Sequence, residues 1–204
     1  MTNEETQQRV KEIKQSFRQM MDGSIAQSMR DKGIDYHLNW GATILRLRDK
    51  ADEIGKDYNL AIALWKENVR ECKILATMLM PPDEILPEVV DIWMEQTDTV
   101  EIAEQAAMNL YQHLPYAPAK AYQWIASDRE LCQLCGFHVL SRLFMRGQEP
   151  NERGINEFLD QAHTAILSPS LVVRKAAINS LNHFASLGLV YQRLADSIFR
   201  LAVY

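Results

Sequence analysis

The stretch DYNLAIALWKENVRECKILATMLM, residues 57–80, predicts two helices joined by a very short link. Asp57 is a suitable N-terminal cap for the first helix, which is predicted to end at Trp65. The second helix is predicted over 68–80, and it ends where Pro81-Pro82 follows, because proline cannot continue a helix. Since so short a link makes consecutive helices antiparallel neighbours, the stretch predicts a helical hairpin.

The same pattern continues along the chain. We find no convincing alternation of apolar and polar residues that would indicate strands. Because one helix pair cannot bury its apolar face alone, neighbouring pairs must stack. The predicted fold class is therefore all-α, a right-handed superhelix (solenoid) of antiparallel HEAT- or armadillo-like helix pairs whose second helices line a concave surface. The pairs are predicted over 57–80, 83–113, 118–146 and 151–187.

The whole chain is predicted to be one domain, residues 1–204. Residues 1–35 are predicted to form N-terminal capping helices, and residues 36–204 the HEAT-like repeats. Asn39 is predicted to cap the first helix of the repeats. Ser168-Pro169 reads as a cap followed by proline at the first helical position, which would open the second helix of the last pair.

Composition predicts a cytoplasmic protein that does not enter a membrane. The 204 residues are 47% hydrophobic, which is ordinary for a globular domain. No apolar run approaches the ~18–20 residues that span a bilayer. The N-terminus is polar and lacks the apolar core of a signal peptide. Three cysteines in such a chain predict free buried thiols and no disulfide framework.

Charge is concentrated in one block. Residues 81–120 carry eight acidic side chains and one basic side chain, Lys120, whereas the rest of the chain has 21 basic and 19 acidic residues. The block has the wrong sign for a surface that lies on phosphates, because phosphate binding needs lysine and arginine. The acidic residues are Asp83, Glu84, Glu88, Asp91, Glu95, Asp98, Glu101 and Glu104.

The segment LWKENVRECKILA, residues 64–76, resembles a signature of the DNA alkylation repair family, the HEAT-like alkylpurine DNA glycosylases. Ile92-Trp93 and the segment 98–101 match another family segment in register. The segments 128–143 and 172–181 fit two more. The resemblance covers roughly residues 36–187, and it implies a DNA repair function.

The resemblance also implies a site. The family is expected to use an aromatic and a carboxylate one helical turn apart, an arginine that contacts backbone phosphate, and a second aromatic against the lesion nucleotide. Our alignment puts Thr97, Glu101, Leu134 and Asn179 at these four positions in that order. Only Glu101 keeps its chemistry, and it is our candidate catalytic residue; otherwise it is an ordinary charged residue on an acidic helix. Trp93, one turn before Thr97, is a candidate replacement for the missing aromatic.

Four cations are candidate nucleic-acid-binding residues: Arg142, Arg146, Arg174 and Lys175. Their alternative interpretation is a solvated helix face.

The spacing Cys132-x-x-Cys135 lacks the two further ligands of a structural zinc site. The five histidines lie apart, and the chain has no glycine-rich phosphate loop or serine nucleophile elbow. The sequence therefore predicts no metal and no cofactor.

Two functions agree with these residues. In the first, the protein is a divergent repair enzyme that binds duplex DNA and excises alkylated purines, with Glu101 stabilising positive charge on the sugar. In the second, it is a non-catalytic scaffold that binds a protein or another ligand in its concave groove. The family resemblance favours the first function. The three replaced site positions and the acidic block favour the second.

Overall fold

The computed structural model of the protein describes residues 2–201. Over that range it contains twelve α-helices and two short 3-10 helices, and no strand. The chain divides into two compact units, with the boundary between Gln105 and Ala106. The all-α prediction is confirmed.

The first unit consists of six helices and the beginning of a seventh. Helix α1 packs on α4, and α5 packs on both α4 and α3. The core therefore forms around α5, whose ten residues are all buried except Lys73. The helices are α1 (Asn3–Phe17), α2 (Gly23–Asp31), α3 (Ile44–Ile54), α4 (Tyr58–Trp65), α5 (Arg70–Leu79), α6 (Pro87–Glu95) and α7 (Val100–Asn109), with a 3-10 turn at Arg18–Met20. The second 3-10 turn, Tyr111–His113, lies in the second unit.

The second unit contains the end of α7 and five further helices. Helix α9 packs on α8 and on α11, and α12 packs on α10 and α11. Aromatic side chains meet edge-on or tilted in its core, with Phe158 in contact with Phe137, Phe144 and Phe184. The helices are α8 (Ala117–Ile125), α9 (Glu130–Met145), α10 (Glu152–Ile166), α11 (Leu171–Ala185) and α12 (Leu189–Leu201).

Three predicted helix pairs are confirmed, since α4 packs on α5, α8 on α9 and α10 on α11, whereas the pair 83–113 stays a prediction. Some predicted caps are wrong. Asp57 caps α4 as expected, since its side chain accepts a hydrogen bond from the Leu60 amide at 3.0 Å. The helix after Asn39 starts later than predicted and is capped by Thr43. Asn39 does not cap because its side-chain oxygen accepts from the Gly41 amide at 2.8 Å, within a non-helical segment.

The cap of α11 is also displaced from the prediction. Ser170, not Ser168, accepts a hydrogen bond from the Val173 amide, and the helix begins at Leu171. The Ser168 hydroxyl accepts instead from the Ser170 amide at 3.2 Å, which makes a short turn before the helix. Pro169 therefore lies in the turn and outside the helix.

Two further expectations concern the thiols and the membrane. Cys72, Cys132 and Cys135 are free and buried, as predicted. Between residues 2 and 201, no helix is long and apolar enough to cross a membrane. The single-domain assignment and the capping role of residues 1–35 stay predictions.

Candidate functional site

Glu101 lies in the first turn of α7, and both of its carboxylate oxygens are bound. Its Oε1 accepts a hydrogen bond from Arg70 Nη2 at 2.6 Å. Its Oε2 accepts from Arg70 Nε at 2.8 Å and from the Tyr36 hydroxyl at 2.6 Å. The side chain is 17% exposed. Glu101 is therefore held in a two-pronged ion pair, the geometry in which arginine binds a carboxylate most strongly.

Arg70, the first residue of α5, is 2% exposed and is bound on its other side as well. Its Nη1 donates to the carbonyl oxygen of Ala42 at 2.9 Å and to Glu71 Oε1 at 3.1 Å. Its backbone amide donates to the carbonyl of Leu38 at 3.0 Å. A buried guanidinium needs this full set of acceptors, because an unpaired buried charge is strongly destabilising.

Glu71 connects the same network to the non-helical segment before α3. Its fully buried carboxylate accepts from the backbone amides of Trp40, at 3.1 and 3.2 Å, and of Ala42, at 3.2 Å. Gly41 allows this path, since its φ is +73° and a Cβ there would lie 2.1 Å from the Asp22 carbonyl oxygen. The segment 34–43 is thereby fixed to the beginnings of α5 and α7.

The charges in this network are set by its hydrogen bonds. Burial raises the pKa of Glu101, but the hydrogen bonds and charge of Arg70 outweigh burial, and the pKa lies below its ordinary value. Burial, and then the bond to Glu101, raises the pKa of the Tyr36 hydroxyl well above its usual range. Tyr36 is therefore a neutral donor and Glu101 an ionised acceptor at neutral pH.

The other three predicted site positions do not offer family-like chemistry. Thr97 and Leu134 are buried, and the Thr97 hydroxyl donates to the Trp93 carbonyl at 2.8 Å. Asn179 is exposed, and its amide donates to the Ser141 hydroxyl at 3.0 Å. Thr97 and Glu101 belong to the first unit, whereas Leu134 and Asn179 belong to the second.

Trp93 is a core residue in the first unit. Its ring stacks on Trp65 with the centroids 4.2 Å apart and the planes 4° from parallel, and it is 2% exposed. The Trp65 indole also donates to Gln96 Oε1 at 2.8 Å. With its ring covered in this way, Trp93 has no open face on which a nucleobase can stack.

The four predicted nucleic-acid cations lie in the second unit as two separate pairs. Helices α9 and α11 run in the same direction, because Ser170 bonds to Glu130 near their starts at 2.8 Å and Asn179 bonds to Ser141 further along both helices at 3.0 Å. The Arg142–Arg146 pair at the end of α9 is therefore about 14 Å along the axes from the Arg174–Lys175 pair.

Three of these cations have protein partners. Arg146 Nη2 donates to the Gln112 carbonyl at 2.6 Å, and Arg174 Nη1 donates to the Ser168 carbonyl at 2.7 Å. Arg142 Nη2 is 3.5 Å from Met108 Sδ, a weak acceptor. Lys175 is exposed. Their role in nucleic-acid binding stays a prediction.

Most of the acidic block is exposed surface. On α6 the acidic side chains lie on the face opposite the buried residues Val90, Trp93 and Met94. Asp91 and Glu101 are half-buried, and the other six are exposed: Asp83, Glu84, Glu88, Glu95, Asp98 and Glu104. Glu101 therefore differs in burial from the six exposed acidic residues of the block.

Nothing in residues 2–201 resembles a metal site, since no three histidine, cysteine, aspartate or glutamate side chains are grouped there. Burial raises the pKa of the Cys135 thiol well above its ordinary value. A protonated, enclosed thiol is a poor nucleophile and a poor ligand.

Sequence reasoning missed Tyr36, Arg70 and Glu71 as functional neighbours of Glu101. The available signal was the charged dipeptide Arg70-Glu71 at the start of a helix that is otherwise almost wholly apolar. Charges in such a helix must find partners if they are buried, although the sequence does not say which partners.

The helical pairs and the buried ion-pair network define an all-helical, HEAT-like repeat protein with one internally neutralised carboxylate at its candidate site. A family model described as DNA alkylation repair enzyme matches residues 13–186, and the chain belongs to that family. The resemblance seen in residues 64–76 is thus confirmed.

A solved structure shares the fold. It is described as coming from a family of proteins related to the HEAT-like repeat DNA glycosylases with affinity for branched DNA structures. The match has a TM-score of 0.84 at 18% sequence identity and covers 94% of this chain and 82% of that chain. No curated protein matches the sequence.

Proposed function

We propose that this protein binds DNA without excising bases. The observation that carries the proposal is the ion pair in which Arg70 and Tyr36 occupy both oxygens of Glu101. Membership of the DNA alkylation repair family supports a role on DNA. The ion pair and the replaced positions Thr97, Leu134 and Asn179 support the absence of excision.

The reason for the proposed absence of excision is electrostatic. Breaking an N-glycosidic bond builds positive charge on the sugar, and a carboxylate stabilises that charge only if its own charge is available. The charge of Glu101 is already compensated by Arg70 at 2.6 and 2.8 Å. Separating the pair costs roughly 3–5 kcal/mol, because it breaks a largely buried, two-pronged ion pair.

For the DNA itself we propose a branched or otherwise non-duplex structure. The structural neighbour has affinity for branched DNA, and it shares the fold over most of this chain. The second unit has nine basic and seven acidic residues, in contrast to 13 and 20 in the first unit. We therefore propose that the second unit makes the phosphate contacts, through Arg142, Arg146, Arg174 and Lys175.

A base-release assay tests the catalytic part. Purified protein is incubated with methylated DNA, and free methylpurines are separated and counted beside an active alkylpurine glycosylase. We expect release at the level of the protein-free control. Release above that level that is abolished in Glu101→Gln but kept in Glu88→Gln, an exposed acid on α6, contradicts the proposal.

A binding titration tests the DNA part. A four-way junction and a linear duplex of the same composition are compared by fluorescence anisotropy at about 50 and 200 mM salt, where phosphate contacts weaken steeply. We expect tighter binding of the junction and a fall in affinity with salt. No binding of either DNA at about 50 mM salt rejects a DNA-binding function.

A non-catalytic scaffold that binds a protein is the second candidate. Its supporting observation is the exposed face of α11, where the apolar side chains of Leu171 and Ile178 lie in the solvent. Absence of DNA binding combined with a protein partner whose binding is abolished in Ile178→Glu would favour this candidate.

A further inference from the structure

A second candidate site lies in the second unit, whereas Glu101 and its partners belong to the first unit. It is a cavity of about 480 Å³ between the end of α8, the start of α9 and the last turns of α10. This volume is within the range of small-molecule sites. Its hydrogen-bonding side chains come from Gln133, Gln161, His163, Thr164 and Ser168.

The lining surface is mostly apolar, and among the described residues it carries no lysine, arginine, aspartate or glutamate. The side chains of Gln161 and His163 are half-buried at the cavity, where their polar atoms can reach a ligand. Ile125 and Ala165 are buried at the cavity, and Leu167 is 56% exposed beside it. The site therefore combines amide and imidazole groups with apolar surfaces.

The backbone at the end of α10 contributes partial negative charge to the cavity. Thr164, Ala165 and Leu167 belong to the C-terminal end of α10, where carbonyl oxygens carry partial negative charge. Such an end disfavours a phosphate and favours a group that donates N–H bonds. A positive group lies just outside, since Arg174 Nη1 donates to the carbonyls of Ser168 and Pro169 at 2.7 and 3.4 Å.

We infer that this cavity binds an unpaired nucleobase of a DNA strand, an inference that rests on the proposed function. The base enters, and its phosphates stay outside near Arg174 and Lys175. A glutamine amide pairs in two-pronged fashion with N6 and N7 of adenine, so an adenine is favoured. Leu167 supplies an apolar surface against the face of the ring.

The test uses DNA duplexes that carry one bulged 2-aminopurine, an adenine analogue whose fluorescence reports its stacking, and fully paired duplexes of the same length. We expect tighter binding of the bulged DNA. We expect Gln161→Ala and Leu167→Ser each to reduce this preference roughly tenfold, which is within the range of a two-pronged base contact. The matched controls are Gln192→Ala and Leu189→Ser, which change exposed residues of α12 and keep the preference.

Three outcomes are distinguishable. Equal binding of bulged and paired duplexes, or an unchanged preference in both cavity variants, overturns the inference and leaves DNA binding in place. Loss of all DNA binding in the wild-type protein overturns the proposed function. In that case an NMR titration with free adenosine still tests the cavity, because shifts at Gln161 and Leu167 support a base site and their absence rejects it.

Discussion

At the scale of the residue, the ion pair of Arg70 with Glu101 has to offset the desolvation of two charges. Moving a pair of ions out of water is costly, and the attraction between them compensates only when further hydrogen bonds satisfy both groups. Tyr36, Ala42 and Glu71 supply those bonds at distances of 2.6 to 3.1 Å. The network is therefore fully connected, and its members depend on one another.

We predict that Glu101→Gln destabilises the protein by about 3 kcal/mol at pH 7, because the buried Arg70 loses one of its two carboxylate partners and keeps only Glu71. Tyr36→Phe removes one hydrogen bond to the carboxylate and should cost about 1 kcal/mol. Urea unfolding followed by circular dichroism measures both. Glu88→Gln on the exposed face of α6 is the control, with an expected change within about 0.5 kcal/mol.

The contribution of Glu101 to the free energy of unfolding depends on pH, and the Glu101→Gln variant measures this dependence. The pKa of Glu101 is lowered in the folded protein, so its contribution is fully present above the ordinary glutamate pKa of about 4.3 and disappears as the pH falls through the lower folded value. The difference in unfolding free energy between wild type and Glu101→Gln should stay constant from pH 7 to 5 and shrink below about pH 4. A difference that persists undiminished at pH 2 contradicts this assignment.

Contacts between residues far apart in the chain limit what the sequence alone can predict. Glu101 was identified because it matches a family position, but its partner Arg70 is 31 residues away in the chain and Tyr36 is 65 away. Contacts over such separations depend on the packing of α5, α7 and the segment 34–43. No local spacing encodes them, so the carboxylate was predicted and its neutralisation was not.

At the scale of the helix, α8 and α9 approach each other closely at Gly136. A Cβ at this position would lie 2.8 Å from the carbonyl oxygen of Ala121 and 2.8 Å from Cγ2 of Ile125. Glycine lowers helix propensity by roughly 1 kcal/mol relative to alanine, so its presence inside α9 needs a reason. The close contact with α8 supplies that reason.

We predict that Gly136→Ala destabilises the second unit by about 1–3 kcal/mol, because the clash with backbone atoms of α8 outweighs the gain in helix propensity. Gly23→Ala in the first turn of α2 is the control, since no atom lies within 4 Å of the added Cβ and a neutral or stabilising change is expected. Thermal unfolding of the two variants measures the difference. Equal stability of Gly136→Ala and wild type would show that α8 can move away.

Helix boundaries separate what was predictable from what was not. Pro81-Pro82 ends a helix through the restricted backbone of proline, so this helix end could be predicted from the sequence. Asn39 and Ser168 are chemically suitable caps, but their side chains bind the amides of Gly41 and Ser170 within turns. Several residues of one segment can cap, and the tertiary path of the chain decides between them.

At the scale of the whole molecule, charge is divided unequally between the two units. The first unit, residues 1–105, has a net charge of −7, and the second, residues 106–204, has a net charge of +2. Binding to DNA phosphates releases counterions in proportion to the cations that engage, so the salt dependence of binding reports how many cations engage. The two units should therefore contribute differently to that dependence.

We predict that the double variant Arg142→Gln, Lys175→Gln weakens DNA binding and lowers the slope of log affinity against log salt by about 2, close to 1 for each cation removed from a phosphate. These two residues are the informative pair because Arg146 and Arg174 also donate to backbone carbonyls, and replacing them would disturb the fold as well. The matched control is Arg46→Gln, Arg48→Gln, which removes two exposed cations of α3 in the acidic first unit. Anisotropy titrations of a four-way junction at four salt concentrations give the slopes. An unchanged slope in the first variant, or an equal fall in the control, would place the phosphate contacts elsewhere than on the second unit.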